Sequence, residues 1–264
     1  MLEILALPFM QRAVLAIVLL AILSAIFGVF IVIRKMAFFA DAIAHASLAG
    51  IAIGVVLGIS PTYTAPIAAI LIAIGIGYIS RHGKQALDTA IGIFYSLALA
   101  IGVIILAYTA TYRVSLSTFL FGDILSVDSV VLAIMLLTLV ATLLVLWKKN
   151  KQFLLMSLEP ETALAQKIPV QANEYLFLAL LALIVAMGIK IAGIIMIGPL
   201  LIIPAATAKN TALSLKQMFI YSGLFAFLAG LLGLALSYTF NLPSGPTIVV
   251  TAGVFYFVSQ FGKK

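Results

Sequence analysis

The sequence predicts an all-α membrane protein, a polytopic bundle of about nine transmembrane helices, with eight also possible. Of its 264 residues, 65% are hydrophobic and only 9% are charged, whereas soluble domains carry about a quarter charged residues. The mean hydropathy is +1.30. The apolar stretches are nearly continuous rather than alternating, a pattern that predicts helices and excludes a β-barrel.

Each apolar stretch has about the 20 residues that a helix needs to cross a bilayer. We expect the chain to form a single transmembrane domain over residues 1–264, without a second domain. The predicted spans are Phe9–Ile33, Met36–Ile59, Thr62–Ser80, Asp88–Thr109, Asp128–Trp147, Asn173–Gly188, Ile189–Ala208, Met218–Phe240 and Thr247–Phe261.

The distribution of lysine and arginine predicts the orientation of these spans. If the loop after the fifth span is cytoplasmic, 12 of the 15 basic residues lie inside. The other three, Arg12, Arg113 and Lys190, lie outside. Cytoplasmic loops carry an excess of basic residues, so we expect the N-terminus outside and the C-terminus in the cytoplasm. The net charge of +7 is explained by this topology and does not predict a nucleic-acid partner.

The second predicted span carries two ionisable side chains inside the apolar stretch MAFFADAIAHASLAGIAIG, Met36–Gly54. A rise of 1.5 Å per residue places Asp41 roughly 8 Å and His45 roughly 14 Å above the cytoplasmic start of the span. Their spacing of four residues puts both side chains on one helix face. An ionised aspartate facing lipid costs about 2.5–3.5 kcal/mol, so we expect this face to contact protein or a water-filled path.

A row of small residues lies about 100° around the same helix. Such a row, with alanine or glycine at every fourth position, lets another helix backbone approach closely. The row predicts that this span is central and that the polar pair borders the most crowded part of the bundle. Its members are Ala42, Ala46, Gly50, Gly54 and Gly58.

Carboxylate and imidazole together suit a divalent transition metal. The alternative is a hydrogen-bonded pair that holds two helices in register, but ionisable residues inside membranes are functional by default. One chain offers only Asp41 and His45, whereas a zinc site takes three or four protein ligands or waters. Two copies across a two-fold axis would supply two of each residue. The pair therefore predicts a homodimer with a shared, transient site.

Several other residues carry weaker signals. Pro199 and Pro204 interrupt the seventh predicted span, either as a packing kink or as a gating hinge. Asp123 and Asp128 are interpreted as caps or surface acids, which could still guide a cation toward the pathway. His82, in the basic loop RHGK, is interpreted as a solvated residue.

Five segments together make the sequence similar to a known family. They are FFADAIAHASLAG (38–50), STFLFGDILSV (117–127), SLEPETALAQKI (157–168), IKIAGIIMIGPLLIIPAATA (189–208) and NLPSGPTIVV (241–250). Over essentially the whole chain, the sequence resembles the permease subunits of bacterial ATP-binding-cassette importers for zinc and manganese, most closely the zinc-importer permeases.

This resemblance implies a type II importer fold in the bacterial cytoplasmic (inner) membrane, in contact with membrane lipid. It implies a second copy of the chain, two cytoplasmic ATPase subunits and an extracytoplasmic metal-binding protein as partners. Zinc, or manganese or iron in its place, would be the transported ion, with no permanently bound cofactor and ATP used only by the partner. The family's intramembrane aspartate and histidine fall on Asp41 and His45. Ala40 and Lys167 depart from the family, which usually has glycine at both positions.

The segment 157–168 corresponds to the cytoplasmic coupling segment of that family. Pro160 suits a first helical position, and Glu159 and Glu161 favour a helix N-terminus. Membrane-lying helices are usually basic on their polar face, so we expect this acidic segment to dock into an ATPase groove. The residues expected to couple to the ATPase are Glu159, Pro160, Glu161, Ala163, Leu164 and Ala165.

Two motifs that would indicate enzymatic activity are missing from the sequence. Without G-x-x-x-x-G-K-[ST] the chain does not hydrolyse ATP by the P-loop route, and without H-E-x-x-H an intramembrane metalloprotease is disfavoured. Two transport functions of a different kind stay open. One is a secondary carrier with Asp41 and His45 as a proton relay, and the other is an importer of a metal chelate, which would need no ligands in its channel.

Overall fold

The computed structural model describes residues 7–82, 87–108 and 120–262. These ranges form ten α-helices and one short 3-10 helix, without a β-strand, which confirms the all-α prediction. Four basic residues used to predict the orientation, Lys84, Arg113, Lys263 and Lys264, lie outside the described residues, as do the first three residues of the segment 117–127.

Helix length and apolar character together separate the clear membrane spans from the other helices. The helices are α1 (Pro8–Ile33), α2 (Ala37–Leu57), α3 (Pro61–His82), α4 (Leu87–Tyr108), α5 (Ser129–Leu158), α6 (Pro160–Ala165), α7 (Val170–Ala192), α8 (Ile197–Thr211), α9 (Leu215–Phe240) and α10 (Ser244–Phe261). Within the described ranges, seven helices, α1 to α5, α7 and α9, are long and apolar enough to cross a membrane. The seventh and ninth predicted spans correspond to α8 and α10, of 15 and 18 residues, and their crossing stays a prediction.

The chain forms two compact units, and the first contains α1, the 3-10 helix Ile124–Ser126, α8, α9 and α10. In this unit α1 packs against α8 and α9, and the last three helices pack against one another. Glycines permit the closest approaches. A Cβ atom at Gly28 of α1 would overlap the backbone of Leu201 in α8, so no larger residue fits at this crossing.

The second unit contains α2, α3, α4, α6 and most of α5 and α7. Small residues again mark its helix contacts. A Cβ atom at Gly50 of α2 would lie 2.6 Å from the Cβ atom of Ala68 in α3. Farther along α3, the side chain of Leu178 from α7 lies beside Gly77. This packing places α3 between α2 and α7 in the second unit.

Helix α5 is longer than the fifth predicted span, because it runs on beyond Trp147 to Leu158. Its 30 residues correspond to about 45 Å of helix, more than the roughly 30 Å of a hydrocarbon core. Tertiary contacts support the extra turns. Phe153 is buried, and Lys149 Nζ donates a hydrogen bond of 2.6 Å to the side-chain oxygen of Asn173 in α7.

The predicted boundary between the sixth and seventh spans, at Gly188 and Ile189, is also wrong. Helix α7 continues to Ala192, and the chain breaks at Gly193, with φ +85°, before α8 begins at Ile197. Gly188 lies inside α7, where the Ile197 side chain occupies the place of a Cβ atom. A left-handed φ favours glycine, so the break belongs to Gly193.

Backbone segments of the first unit meet around this break. A Cβ atom at Gly193 would overlap the backbone of residues 120–122, and one at Gly122, with φ +69°, would overlap the backbone of residues 192–193. The Ile195 amide donates to the Leu120 carbonyl at 3.2 Å. Two glycines with positive φ therefore let the segment before α5 lie directly on the turn between α7 and α8.

Candidate functional site

Asp41 and His45 lie in the first three turns of α2, in the second unit. Both side chains are half-buried, whereas the residues between them are buried. The helix therefore turns its apolar residues into the protein and keeps this polar row partly accessible. The half-buried position of Asp41 and His45 is consistent with the prediction that their helix face contacts protein or a water-filled path.

The His45 ring is fixed by a hydrogen bond of 2.9 Å between its Nδ1 atom and the backbone oxygen of Asp41. A carbonyl oxygen only accepts, so Nδ1 must carry the proton and donate it. In the neutral ring Nε2 then keeps its lone pair, which is the state that binds a metal ion. The bond runs within one helix and does not use the Asp41 carboxylate, so it favours the ligand interpretation over a pair that joins two helices.

Tyr95 of α4 is the residue that the sequence pattern did not reveal. Its ring lies against the His45 ring, with the centroids 4.7 Å apart and the planes tilted by 56°. Aromatic residues are frequent in apolar helices, so Tyr95 gave no signal of its own. The small residues at Ala98 and Gly102, three and seven positions later on α4, were the available hint that this face packs closely on another helix.

The row of small residues on α2 packs on neighbouring helices over most of its length. A Cβ atom at Gly54 would overlap the Thr64 hydroxyl of α3. Ala46 forms a buried cluster with Ala49 and with Ala98 of α4, and Ala42 is 1% exposed. These contacts agree with the predicted close approach of helices along this face.

Gly58 is not a packing position, and its inclusion in the row is corrected by the structure. It follows the last residue of α2 with φ +68°, and no atom lies within 4 Å of where its Cβ would be. The amides of Gly58 and Ile59 donate to the carbonyls of Val55 and Gly54. This bonding pattern ends a helix through a left-handed residue, so Gly58 is a helix terminator.

Within the described residues, no group of three or more His, Cys, Asp or Glu side chains could hold a metal ion. Asp41 and His45 thus remain two ligands from one chain. Asp123 caps the short helix that follows it, accepting from the Leu125 amide at 3.1 Å. Asp128 accepts from the Val131 amide at 2.8 Å. Both aspartates act as caps, as the sequence indicated, and His82 is exposed.

The predicted coupling segment contains the helix α6, which begins at Pro160 as expected. Before it, the Glu159 carboxylate accepts a hydrogen bond of 3.0 Å from the Thr162 hydroxyl. Leu164 is 60% exposed, whereas Ala163 is fully buried. Ala163 therefore anchors the helix on its own chain and is not available to a partner. The exposed members of the predicted set are Glu159, Pro160, Glu161, Leu164 and Ala165.

Lys167 ends this helix in the conformation that glycine would adopt most readily. Its φ is +56°, and its amide donates to the Leu164 carbonyl at 3.0 Å while the Ile168 amide donates to Ala163 at 3.2 Å. This pair of bonds defines a Schellman termination with Lys167 at the left-handed position. The departure from glycine thus leaves the way in which the helix ends unchanged.

The two prolines of the seventh predicted span have different positions. Pro199 is the third residue of α8, where no amide is needed because the first turn has no intrahelical acceptor, so it does not interrupt a helix. Pro204 lies in the interior of α8 and leaves the Leu200 carbonyl without its usual donor. The Ser24 hydroxyl of α1 donates to that carbonyl at 2.9 Å. This bond favours a packing kink over a hinge at Pro204.

Seven apolar helices of spanning length in the described ranges, one of which carries an ionisable pair, define a multi-pass membrane protein. Within this class, a model of the ABC 3 transport family matches residues 6–263, and the chain belongs to that family. This match confirms the assignment to the importer permeases that the sequence motifs predicted. The chain is a multi-pass inner-membrane permease and not an enzyme.

Individual relatives cover nearly the whole chain. MntC, the membrane protein of a manganese transport system of Listeria monocytogenes, is 34% identical over 95% of this chain and 89% of its own length. ZnuB, from a high-affinity zinc uptake system of Haemophilus influenzae, is 30% identical over 94% and 95%. The structure of PsaBC from Streptococcus pneumoniae in complex with Fab superposes with a TM-score of 0.87 at 37% identity, over 98% of this chain and 93% of the other.

Proposed function

We propose that this chain is the permease subunit of an ATP-driven importer that moves a divalent transition metal, zinc or manganese, into the cytoplasm. The observation that carries the proposal is the His45 ring, whose Nδ1 atom is held by the Asp41 carbonyl at 2.9 Å. That bond leaves Nε2 as a ligand beside a carboxylate on the same helix face. The manganese and zinc transport systems of the relatives support this substrate class.

The transit site forms, in this proposal, between two copies of the chain. Asp41 and His45 give two ligands, and no cluster of three exists in the described residues. A homodimer with a two-fold axis would bring two carboxylates and two imidazoles together. Such a site is completed only across the interface, so it can accept a cation and release it again, as conduction requires.

Zinc, the ion expected from the sequence, and manganese both fit the pair. Carboxylate oxygen and imidazole nitrogen bind both ions, and iron as well. The identities to a manganese permease at 34% and a zinc permease at 30% do not separate them. We propose that selection rests mainly with the extracytoplasmic binding protein that delivers the ion.

Energy enters, in this proposal, through cytoplasmic ATPase subunits that bind α6. The exposed residues of this short helix and its cap include Glu159, Glu161 and Leu164, an apolar side chain with acidic neighbours. Helices that present an apolar residue from a polar surface commonly dock into grooves of a partner. Ala163 is fully buried, and α5 and α7 directly precede and follow α6 in the chain, so a movement of α6 caused by the partner would be passed to these two helices.

The test of the proposal is uptake of radiolabelled zinc and manganese by vesicles containing the permease, its ATPase and its binding protein. Asp41→Ala and His45→Ala should each reduce uptake by more than about tenfold, as expected for loss of a metal ligand. Membrane abundance should stay normal, because the small residues of α2 provide its packing. The same variants should retain their ATPase subunits.

His82→Ala is the matched control, because His82 also bonds the carbonyl four residues earlier, at 3.1 Å, but is exposed. Its uptake should equal that of the unmodified protein. If Asp41→Ala and His45→Ala both transport normally at normal abundance, the pair is structural. Uptake that persists without ATP or ATPase would instead support the secondary carrier.

A further inference from the structure

We infer that Tyr95 is a positioning residue for metal transit, which holds the His45 ring so that Nε2 stays directed away from the helix backbone. This inference rests on the proposed function of His45 and extends the site from α2 to α4. It assigns to Tyr95 an effect on transport through the histidine, without direct contact with the ion.

The contact between the two rings has the geometry of a stabilising aromatic pair. Their centroids are 4.7 Å apart and their planes are tilted by 56°, within the range of tilted pairs that attract each other. The hydrogen bond to the Asp41 carbonyl fixes one edge of the imidazole. Tyr95 covers the ring beside it, so rotation about the side-chain bonds would break both contacts at once.

The position of Tyr95 is itself set by close packing of α4 on α2. A Cβ atom at Gly102 would lie only 3.0–3.2 Å from backbone atoms of Leu48 and Ala49, and Ala98 packs with Ala46 and Ala49. Along both α2 and α4, in chain order, the contact between the His45 and Tyr95 rings comes first. The contacts of the small residues follow one to two turns later on each helix. This order means that α4 runs in the same direction as α2 and that its register places Tyr95 level with His45.

Transport should therefore depend on the aromatic ring of Tyr95 rather than on its hydroxyl. Tyr95→Phe should transport within about twofold of the unmodified protein. Tyr95→Leu removes the ring and should lower the maximal uptake rate about three- to tenfold, the range that loss of an aromatic pair implies. The concentration of loaded binding protein that gives half-maximal uptake should not change, because docking of that protein does not involve the His45 ring.

Phe94→Leu is the matched control for loss of an aromatic residue from the same helix. The Phe94 ring lies beside Gly75 of α3, whereas the Tyr95 ring lies against His45 of α2. Its uptake rate should stay within about twofold of the unmodified protein. If Tyr95→Leu fails to reach the membrane, Tyr95→Met replaces it, because methionine adapts to irregular space.

A spectroscopic measurement separates positioning from general packing. The chain has two histidines, so nitrogen-15 histidine labelling of protein without a histidine tag gives two ring systems in solid-state NMR. His45 should show the Nδ1–H tautomer in the unmodified protein and in Tyr95→Phe, and a mixture of tautomers in Tyr95→Leu. The His82 signal should stay constant.

An unchanged uptake rate and His45 spectrum in Tyr95→Leu would overturn the inference. So would an equal loss of rate in Tyr95→Leu and Phe94→Leu with the tautomer unaltered, since that pattern indicates packing alone. These results are distinguishable from failure of the proposed function. Normal uptake by His45→Ala refutes the transit site itself. If His45→Ala abolishes uptake but Tyr95→Leu leaves both uptake and the His45 spectrum unchanged, only the role of Tyr95 is refuted.

Discussion

At the scale of single residues, Ser24 and Pro204 show how two helices of the first unit compensate for one missing amide. Pro204 cannot donate to the carbonyl of Leu200. Ser24 of α1, 1% exposed, supplies the donor at 2.9 Å. An unsatisfied carbonyl is costly where no water reaches it, so the serine makes the proline tolerable in this helix.

Ser24→Ala should lower the free energy of unfolding by about 1 kcal/mol, since hydrogen bonds between membrane helices contribute on the order of 0.6–2 kcal/mol. The cost should shrink in a Pro204→Ala background, because that substitution restores the backbone amide that bonds to the Leu200 carbonyl. Unfolding in detergent, measured for both single variants and the double variant, gives the interaction between the two sites.

Ser47→Ala is the control for this cycle. Ser47 is also buried, but its hydroxyl donates to the Ile43 carbonyl of its own helix at 2.8 Å, which already accepts the helical amide. Its removal should cost less than removal of Ser24. Equal costs for Ser24→Ala with and without Pro204 would contradict the compensation.

The residues of the proposed transit site differ in how far the sequence could reveal them. Asp41 and His45 are identifiable because charge inside an apolar stretch is costly unless it has a function. Tyr95 is not, because an aromatic side chain in a membrane helix needs no explanation from polarity. Its proposed role depends on which helices pack together, and that information is absent from the local pattern.

At the scale of helices, apolar length alone predicts most of the elements. The predicted span Phe9–Ile33 differs from α1 by only one residue, at its start. The agreement is close because a proline, Pro8, marks the start of the helix and two basic residues, Arg34 and Lys35, follow its end. Apolar length does not predict the full extent of α5, because the residues directly after Trp147 are polar and still helical. Hydrophobic composition indicates which residues lie in the membrane. The turns after Trp147 are instead stabilised by contacts with α7, such as the hydrogen bond of Lys149 to Asn173.

Glycines are the other source of error at this scale, because one residue type serves three purposes. Gly188 makes room for the Ile197 side chain, Gly193 breaks the chain with φ +85°, and Gly58 ends a helix with φ +68°. The sequence pattern predicts a span boundary at Gly188 and a packing position at Gly58. Neither neighbouring side chains nor backbone angles can be read from glycine spacing.

At the scale of the whole molecule, the bias of basic residues predicts the orientation, and the absence of cysteine makes it directly testable. Leu213, between α8 and α9, is 89% exposed, and Leu242, between α9 and α10, is 50% exposed. We expect Leu213→Cys to react with a membrane-impermeant maleimide only in inside-out vesicles, and Leu242→Cys only in intact cells. The excess of cytoplasmic lysine and arginine is the physical reason.

The unmodified protein, without cysteine, is the blank for this labelling. Both variants should retain metal uptake, which shows that the labelled protein is correctly inserted. Labelling of Leu213→Cys from outside intact cells would reverse the assigned orientation. Labelling of both positions from the same side would mean that α9 does not cross the membrane.

The last prediction concerns the number of copies that complete one transit site. If two chains share the site, a His45→Ala subunit disables every dimer that contains it. When unmodified and His45→Ala chains are produced in equal amounts, random pairing leaves roughly one quarter of dimers intact. Uptake should then fall toward one quarter, rather than to the one half expected of independent subunits. His82→Ala in place of His45→Ala controls for expression and should preserve full uptake. Uptake that declines in direct proportion to the unmodified fraction would show that each chain carries a complete pathway, and the two ligands Asp41 and His45 would then have to suffice with water.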